Sequence, residues 1–132
     1  MALDFGKVRT GIAVTDELQL IASGLTTVET ARLFPFLKDY LQKESVDCIV
    51  IGEPKQMDGS DSESELLIKP FVAKLQMTFS NIRIHRQDER FTSKMAMDSM
   101  IAGGLKKKRR QDKAMVDKIS ATLILQAYLD RI

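Results

Sequence analysis

The stretch ALDFGKVRTGIAVT, residues 2–15, decides the fold. Residues 2–5 predict a short first strand, residues 6–8 a turn, and the alternation over residues 9–15 a second strand. Residues 20–28 are apolar and rich in threonine, which is typical of a third strand. Three strands joined by short connections predict an antiparallel meander at the start of the chain.

After the meander the hydrophobic pattern changes between helical and extended periods. Four segments predict helices: residues 30–43, 64–79, 93–102 and 113–132. Two segments predict strands: residues 47–52, which suit a buried central position, and residues 82–86, nearer an edge. The resulting order, β-β-β-α-β-α-β-α-α, predicts an α/β protein with a mixed sheet and helices on both faces.

Length and composition narrow the class of protein. The 132 residues suffice for one core, and we expect a single domain over residues 1–132. The net charge is only +2, so a nucleic-acid surface must come from local clustering of charge. The single cysteine, Cys48, excludes an internal disulfide and fits a reducing compartment. No stretch suits a bilayer, so we expect a cytoplasmic protein with no membrane partner.

Carboxylates from three distant parts of the chain fall where the pattern predicts buried positions. Asp4 lies on the first strand, Asp88 and Glu89 follow the last strand, and Asp117 lies on an otherwise apolar helix face. Neighbours on an extended backbone point opposite ways, so Asp88 and Glu89 cannot be equally well aimed, and we prefer the longer Glu89. Because lone buried charges are costly, converging acids predict a bound cation, and oxygen ligands favour Mg²⁺ or Mn²⁺.

Each acid also has a purely structural explanation. Asp4 can hydrogen-bond the turn through Gly6, and Asp88 with Glu89 can complement the dipole of a following helix. Asp117 can be a boundary residue in the first turn of its helix. If the acids do hold a metal, that ion would bind phosphate oxygens and activate water, so a phosphodiester is the natural substrate.

A run of five cations supplies the positive charge that such a substrate needs. Its members are Lys106, Lys107, Lys108, Arg109 and Arg110, with no acid between them. The run leads directly into the last predicted helix, which places it beside the predicted metal site. We therefore predict that it contacts nucleic acid, with a solvated loop that only aids solubility as the alternative.

Four motifs, in order over nearly the whole chain, resemble the YqgF family of the ribonuclease H-like superfamily. They are ALDFG with Arg9, Gly11, Ala13 and Asp16; Gly52-x-Pro54 with Met57, Asp58 and Gly59; DERFTS at residues 88–93; and DKISA at residues 117–121 with Leu125, Tyr128 and Leu129. The family is associated with Holliday-junction resolution. In bacteria it is also associated with maturation of the precursor of small-subunit (16S) ribosomal RNA.

The resemblance implies a five-stranded mixed sheet in the order 3-2-1-4-5, with the second strand antiparallel, flanked by helices. It also implies metal-dependent hydrolysis of phosphodiesters at Asp4, Glu89 and Asp117, with Mg²⁺ or Mn²⁺ as cofactor. The family usually has an apolar residue where this chain has Glu53. In the wider superfamily an acid at the end of the fourth strand is often catalytic, so the resemblance makes Glu53 a rival or an addition to Glu89. Asp88, the neighbour of Glu89, is kept as a further candidate metal ligand.

The predicted function is that of an endonuclease on structured nucleic acid, acting at the 5′ end of precursor 16S rRNA. Arg9 and Arg90 join the basic run as predicted nucleic-acid contacts, and ribosomal particles are further predicted partners. Two alternatives stay open: a Holliday-junction resolvase in DNA recombination and repair, and a non-catalytic RNA-binding module in ribosome assembly. An actin-like ATPase would also suit the first glycine-containing loop, but the chain is too short for its two lobes.

Overall fold

A five-stranded mixed sheet forms the centre of the computed structural model, which describes residues 1–16, 18, 21–56, 58–89 and 113–131. The strands are β1 Ala2–Phe5, β2 Arg9–Thr15, β3 Ala22–Glu29, β4 Cys48–Glu53 and β5 Arg83–Asp88. Their order across the sheet is β3-β2-β1-β4-β5, which confirms the predicted order. Strand β2 is antiparallel to both of its neighbours, as predicted, whereas β1, β4 and β5 are parallel to one another.

Three α-helices are described: α1 Leu33–Lys43, α2 Glu65–Thr78 and α3 Lys113–Arg131. A 3₁₀ turn, Thr30–Arg32, precedes α1, so the helix predicted from residue 30 begins with a tighter turn. None of the described helices is both long enough and apolar enough to cross a membrane. The helix predicted at residues 93–102 lies outside the described residues.

Alternation along the strands divides the core between the two faces of the sheet. On one face Leu3, Ile12 and Ile51 are fully buried in a cluster that includes residues of α1 and α2. The opposite face carries smaller side chains, including Ala2 and Ala13, and is covered by α3. The α3 residues in this second cluster are Ala121, Ile124, Leu125 and Tyr128. Helices therefore flank both faces, as the order of elements predicts.

Gly11 allows α3 to lie directly on β2. A β carbon added at Gly11 would overlap the backbone carbonyl oxygen of Asp117 and stand 2.5 Å from its carbonyl carbon. A glycine inside a strand often marks such a close approach of another backbone. The position of α3 on the sheet thus requires a residue without a side chain at position 11.

Replacing Gly11 by alanine is expected to lower the free energy of unfolding by about 2 kcal/mol, because the helix backbone must move away from β2. Urea denaturation measures the change. Gly24→Ala on β3 is the matched control, because its added carbon would first meet the flexible side chain of Lys118, at 2.6 Å from Cγ. Equal losses in the two variants would contradict this account of Gly11.

Candidate active site

Three residues lie side by side across the middle of the sheet, on the face that α3 covers. Asp4 of β1 pairs with Gly11 of β2. On its other side Leu3 pairs with Ile51, so the next residues along the parallel ladder, Asp4 and Gly52, are neighbours. We call this set the Gly11–Asp4–Gly52 row. It flanks the carboxylate of Asp4 with two positions that carry no side chain.

Helix α3 brings Asp117 to one end of the row. Its backbone rests on Gly11, and its carboxylate forms an ion pair with Arg9 of β2, in which Arg9 Nε donates to Asp117 Oδ2 at 2.9 Å. The hydroxyl of Thr27 on β3 donates to the carbonyl oxygen of Ala114 at 2.6 Å and holds the start of the same helix. Asp117 is thus fixed by contacts with two strands.

Glu89 reaches the other end of the row. It follows β5, and its backbone N–H donates to the carbonyl oxygen of Glu53 at 3.1 Å, which extends the ladder by one step. A β carbon added at Gly52 would overlap Oε2 of Glu89 and lie 2.8 Å from Cδ1 of Ile124. The Glu89 carboxylate therefore occupies the space that a side chain at Gly52 would fill, on the same face as Asp4.

The electrostatics of the site disfavour ionised carboxylates. Burial raises the pKa of Asp4 to about 7, and the negative charge of Asp117 contributes to the increase. Burial also raises the pKa of Glu89 to about 8, with a further contribution from Asp4, while the charge of Arg86 acts in the opposite direction. Acids that repel one another in a partly desolvated place are a common feature of catalytic and metal-binding sites.

The side chains of Glu53 and Asp88 lie on the face of the sheet opposite the Asp4 carboxylate. Ile49 and Ile51 belong to the core under α1 and α2, and alternation along β4 places Glu53 on that face, away from α3. The Glu53 carboxylate lies 3.5 Å from Nζ of Lys55. Asp88 shares a face of β5 with Arg86, whose side chain meets α2. Of the three candidates for the middle acid, only Glu89 is brought to Asp4.

The donor set suits a hard divalent cation. It offers carboxylate oxygens from three elements, and their mutual repulsion is what a positive charge would relieve. Gln87, which pairs with Gly52, adds a buried side-chain oxygen, Oε1, to which no other described residue donates a hydrogen bond. Within the described ranges, however, no three histidine, cysteine or acidic side chains already stand at metal-binding spacing.

The predicted nucleic-acid contacts are only partly described. The guanidinium of Arg9 is engaged with Asp117, and the Arg9 side chain keeps 37% of its surface exposed at the edge of the site. Arg90 and the basic run of residues 106–110 lie outside the described residues. Their contact with nucleic acid stays a prediction from the sequence.

Two features of the site were missed in the sequence. Gly52 leaves room for the Glu89 carboxylate, and its signals in the sequence were a glycine at the end of an apolar strand and its place in the Gly52-x-Pro54 motif. The second feature is the ion pair between the buried Glu65 of α2 and the partly buried Arg86 of β5. Its signal was the position of Glu65 three residues before the buried Ile68, on the inward face of α2.

Comparison with known proteins shows the family to which the chain belongs. The family model described as "RuvX: Holliday junction resolvase" matches residues 1–131. The chain belongs to the RuvX family. RuvX and YqgF are two names for this family, so the family predicted from the four motifs is confirmed.

Several bacterial relatives are similar to this RuvX-family chain over nearly their whole length. A protein of Christiangramia forsetii is 57% identical over 129 residues, which cover 98% of this chain and 96% of the relative. A protein of Flavobacterium psychrophilum is 56% identical over 131 residues, covering 99% and 96%. One of Porphyromonas gingivalis is 49% identical over 130 residues, covering 98% and 94%. Each is named "Putative pre-16S rRNA nuclease", which agrees with the predicted enzyme class, a nuclease.

Proposed function

We propose that the protein is a metal-dependent endonuclease whose ligands for Mg²⁺ or Mn²⁺ are Asp4, Glu89 and Asp117. The observation that carries the proposal is the convergence of these carboxylates on the Gly11–Asp4–Gly52 row, where burial and mutual repulsion raise the pKa values of Asp4 and Glu89. For structure alone this arrangement is unfavourable. Membership of the RuvX family supports a nuclease as the function that the arrangement serves.

Each acid has a distinct part in the proposed site. Asp4 provides the central carboxylate from the sheet, Asp117 provides one from α3, and Glu89 provides one from the end of β5. The chemistry that a divalent cation supplies in such enzymes is activation of water and stabilisation of the leaving oxygen. Arg9 keeps Asp117 in place through one carboxylate oxygen, Oδ2, which leaves the other oxygen for the metal.

The substrate we propose is the precursor of 16S rRNA, cut at its 5′ end. Support comes from the name of the relatives, which are 49–57% identical to this chain in the three cases above. The basic run at residues 106–110 supplies charge for an RNA backbone. We place the activity in the cytoplasm, on RNA within ribosomal particles, and the single Cys48 is compatible with that reducing compartment.

A second candidate substrate is a four-way DNA junction. The description of the family model, a Holliday junction resolvase, favours it. RNA and DNA present the same phosphates to a metal site, so the three acids serve either substrate equally. Contacts outside the metal site must make the distinction.

A direct cleavage assay tests the proposal. We would incubate the purified protein with a labelled RNA that contains the 5′ leader and start of 16S rRNA. A four-way DNA junction would be tested in parallel. We expect the RNA to be cut at one main position with Mn²⁺ or Mg²⁺ and to stay intact with EDTA. Contacts outside the metal site should favour the RNA, so that the junction is cut at no more than about a tenth of the rate on the RNA. A tenfold difference in rate corresponds to about 1.4 kcal/mol in transition-state binding.

Two results would redirect the assignment. Metal-dependent cutting of the junction alone would favour the resolvase. Binding of the RNA without cleavage of either substrate, in both metals, would favour a non-catalytic module of ribosome assembly and would overturn the proposed nuclease.

A further inference from the structure

A partly buried ion pair lies behind the candidate site, on the opposite face of the sheet. Glu65, in the first turn of α2, is only 3% exposed. Arg86 of β5 donates to both of its carboxylate oxygens, from Nη1 to Oε2 at 3.3 Å and from Nη2 to Oε1. Two residues 21 positions apart thus join α2 to the strand that leads to Glu89.

The same guanidinium also holds the backbone of β4. Nε of Arg86 donates to the carbonyl oxygen of Ile51 at 3.3 Å, and Nη2 donates to that of Gly52 at 3.0 Å. One planar side chain therefore binds a carboxylate and two consecutive carbonyl groups. Lysine cannot reproduce this pattern, because its ammonium group is a compact charge without a rigid fork of donors.

The backbone that Arg86 holds is the surface on which Glu89 rests. The Glu89 carboxylate occupies the space above Gly52 and packs beside Ile124. Any shift of the Gly52 backbone would move that surface. Glu89 is attached to β4 by one further backbone bond, to the carbonyl oxygen of Glu53.

Stability alone does not explain the ion pair. A buried salt bridge can often be replaced by apolar residues of similar volume at no cost, because desolvation of the two charges offsets their attraction. What apolar residues would lose here is the pair of hydrogen bonds to the carbonyl oxygens of Ile51 and Gly52. The pair is thus placed to fix the geometry of the β4 end.

We propose that Arg86 and Glu65 are positioning residues for the Glu89 carboxylate and act through the backbone of Gly52. The proposal rests on the proposed function, in which Glu89 is a metal ligand. Glu65 orients the guanidinium from α2, and Arg86 fixes the two carbonyl groups. The carboxylate on the other side of the sheet is thereby held next to Asp4.

The test uses a double variant, Glu65→Leu with Arg86→Met, because Arg86→Met alone would leave the buried Glu65 without a partner. A crystal structure gives the position of the Glu89 carboxylate, and calorimetric titration with Mn²⁺ gives the affinity. We expect the carboxylate to move by about 1 Å. The Mn²⁺ affinity should fall about 10-fold, as is usual when a residue that supports a ligand is removed.

Two further variants complete the experiment. Arg86→Lys keeps the charge beside Glu65 and is expected to show the same displacement of the Glu89 carboxylate. It tests the positioning role of Arg86 if the double variant does not fold. Arg83→Met, an exposed arginine at the start of the same strand, is the matched control and should leave both measurements unchanged.

A Glu89 carboxylate that keeps its wild-type position in the variants would overturn the proposal, whatever the affinity. Failure of the proposed function has a different signature. If the wild-type protein binds no Mn²⁺, or if Glu89→Gln binds it equally well, the metal assignment falls. The crystallographic position of the Glu89 carboxylate still decides whether Arg86 and Glu65 position it.

Discussion

An Asp4→Asn variant is expected to lose Mn²⁺-supported cleavage by about 100-fold or more while keeping its fold. Asp4 is the central acid of the proposed metal site, and an amide in its place would remove the negative charge that a divalent cation requires. The same change relieves the repulsion that Asp4 shares with Asp117 and Glu89. The variant should therefore unfold at a urea concentration no lower than that of the wild type near pH 8.

The matched control is Asp39→Asn, which makes the same substitution on the exposed surface of α1. Asp39 forms an ion pair with Lys43, four residues away, at 3.2 Å, and both side chains are mostly exposed. Its cleavage rate should stay within about twofold of the wild type, since exposed pairs contribute little. An unaltered rate in Asp4→Asn, measured with circular dichroism to verify the fold, would refute the assignment of Asp4.

The metal-free protein is expected to lose several kcal/mol of stability as the pH rises between about pH 4 and pH 8, because a pKa raised by about 3 is equivalent to about 4 kcal/mol for each acid. Folding raises the pKa of Asp4 from 3.8 to about 7 and that of Glu89 from 4.5 to about 8. Between those values the folded state binds more protons than the unfolded state. Stability from these two groups is therefore complete below about pH 4 and is lost as the pH passes the folded-state pKa values.

Urea denaturation in EDTA at half-unit steps from pH 5.5 to 8.5 measures this slope. In Asp4→Asn the slope should become shallower, because one of the two acids no longer titrates. Asp39→Asn should keep the wild-type slope. Saturating Mn²⁺ should raise the stability most at the alkaline end, since it binds the ionised carboxylates of the folded state. A flat profile in EDTA would contradict the raised pKa values.

The fold was largely predictable because its periodic signals are local. The alternation of residues 9–15 and the apolar run near Ile51 correctly predicted β2 and β4, and the 3.6-residue period predicted α1 and α2. The strand order came from resemblance to the family and not from periodicity. The remaining differences are small shifts at element ends, such as β3, which begins at Ala22 and not at residue 20.

The sequence indicated which acids lie near one another, but not the contacts that hold them. The predicted acids Asp4, Glu89 and Asp117 came from motif position, and the longer reach of Glu89 favoured it over Asp88; their role as metal ligands stays a prediction. The ion pair between Arg9 and Asp117 spans 108 residues, and no periodic pattern links such distant positions. The same holds for the contacts of Arg86 with Glu65 and with the Gly52 carbonyl oxygen, on the opposite face of the sheet from Glu89. These contacts depend on the register of the paired strands, and the sequence alone did not give that register.

The Gly11–Asp4–Gly52 row has a consequence for protein engineering. A designer who transplants the three acids to another sheet-and-helix scaffold would also have to transplant two positions without side chains. One lets the helix backbone come close enough to place its acid at the site, and the other leaves space beside the strand for a carboxylate. A search for related enzymes that scores acids alone would accept chains with valine at either position. Such chains could not assemble the site.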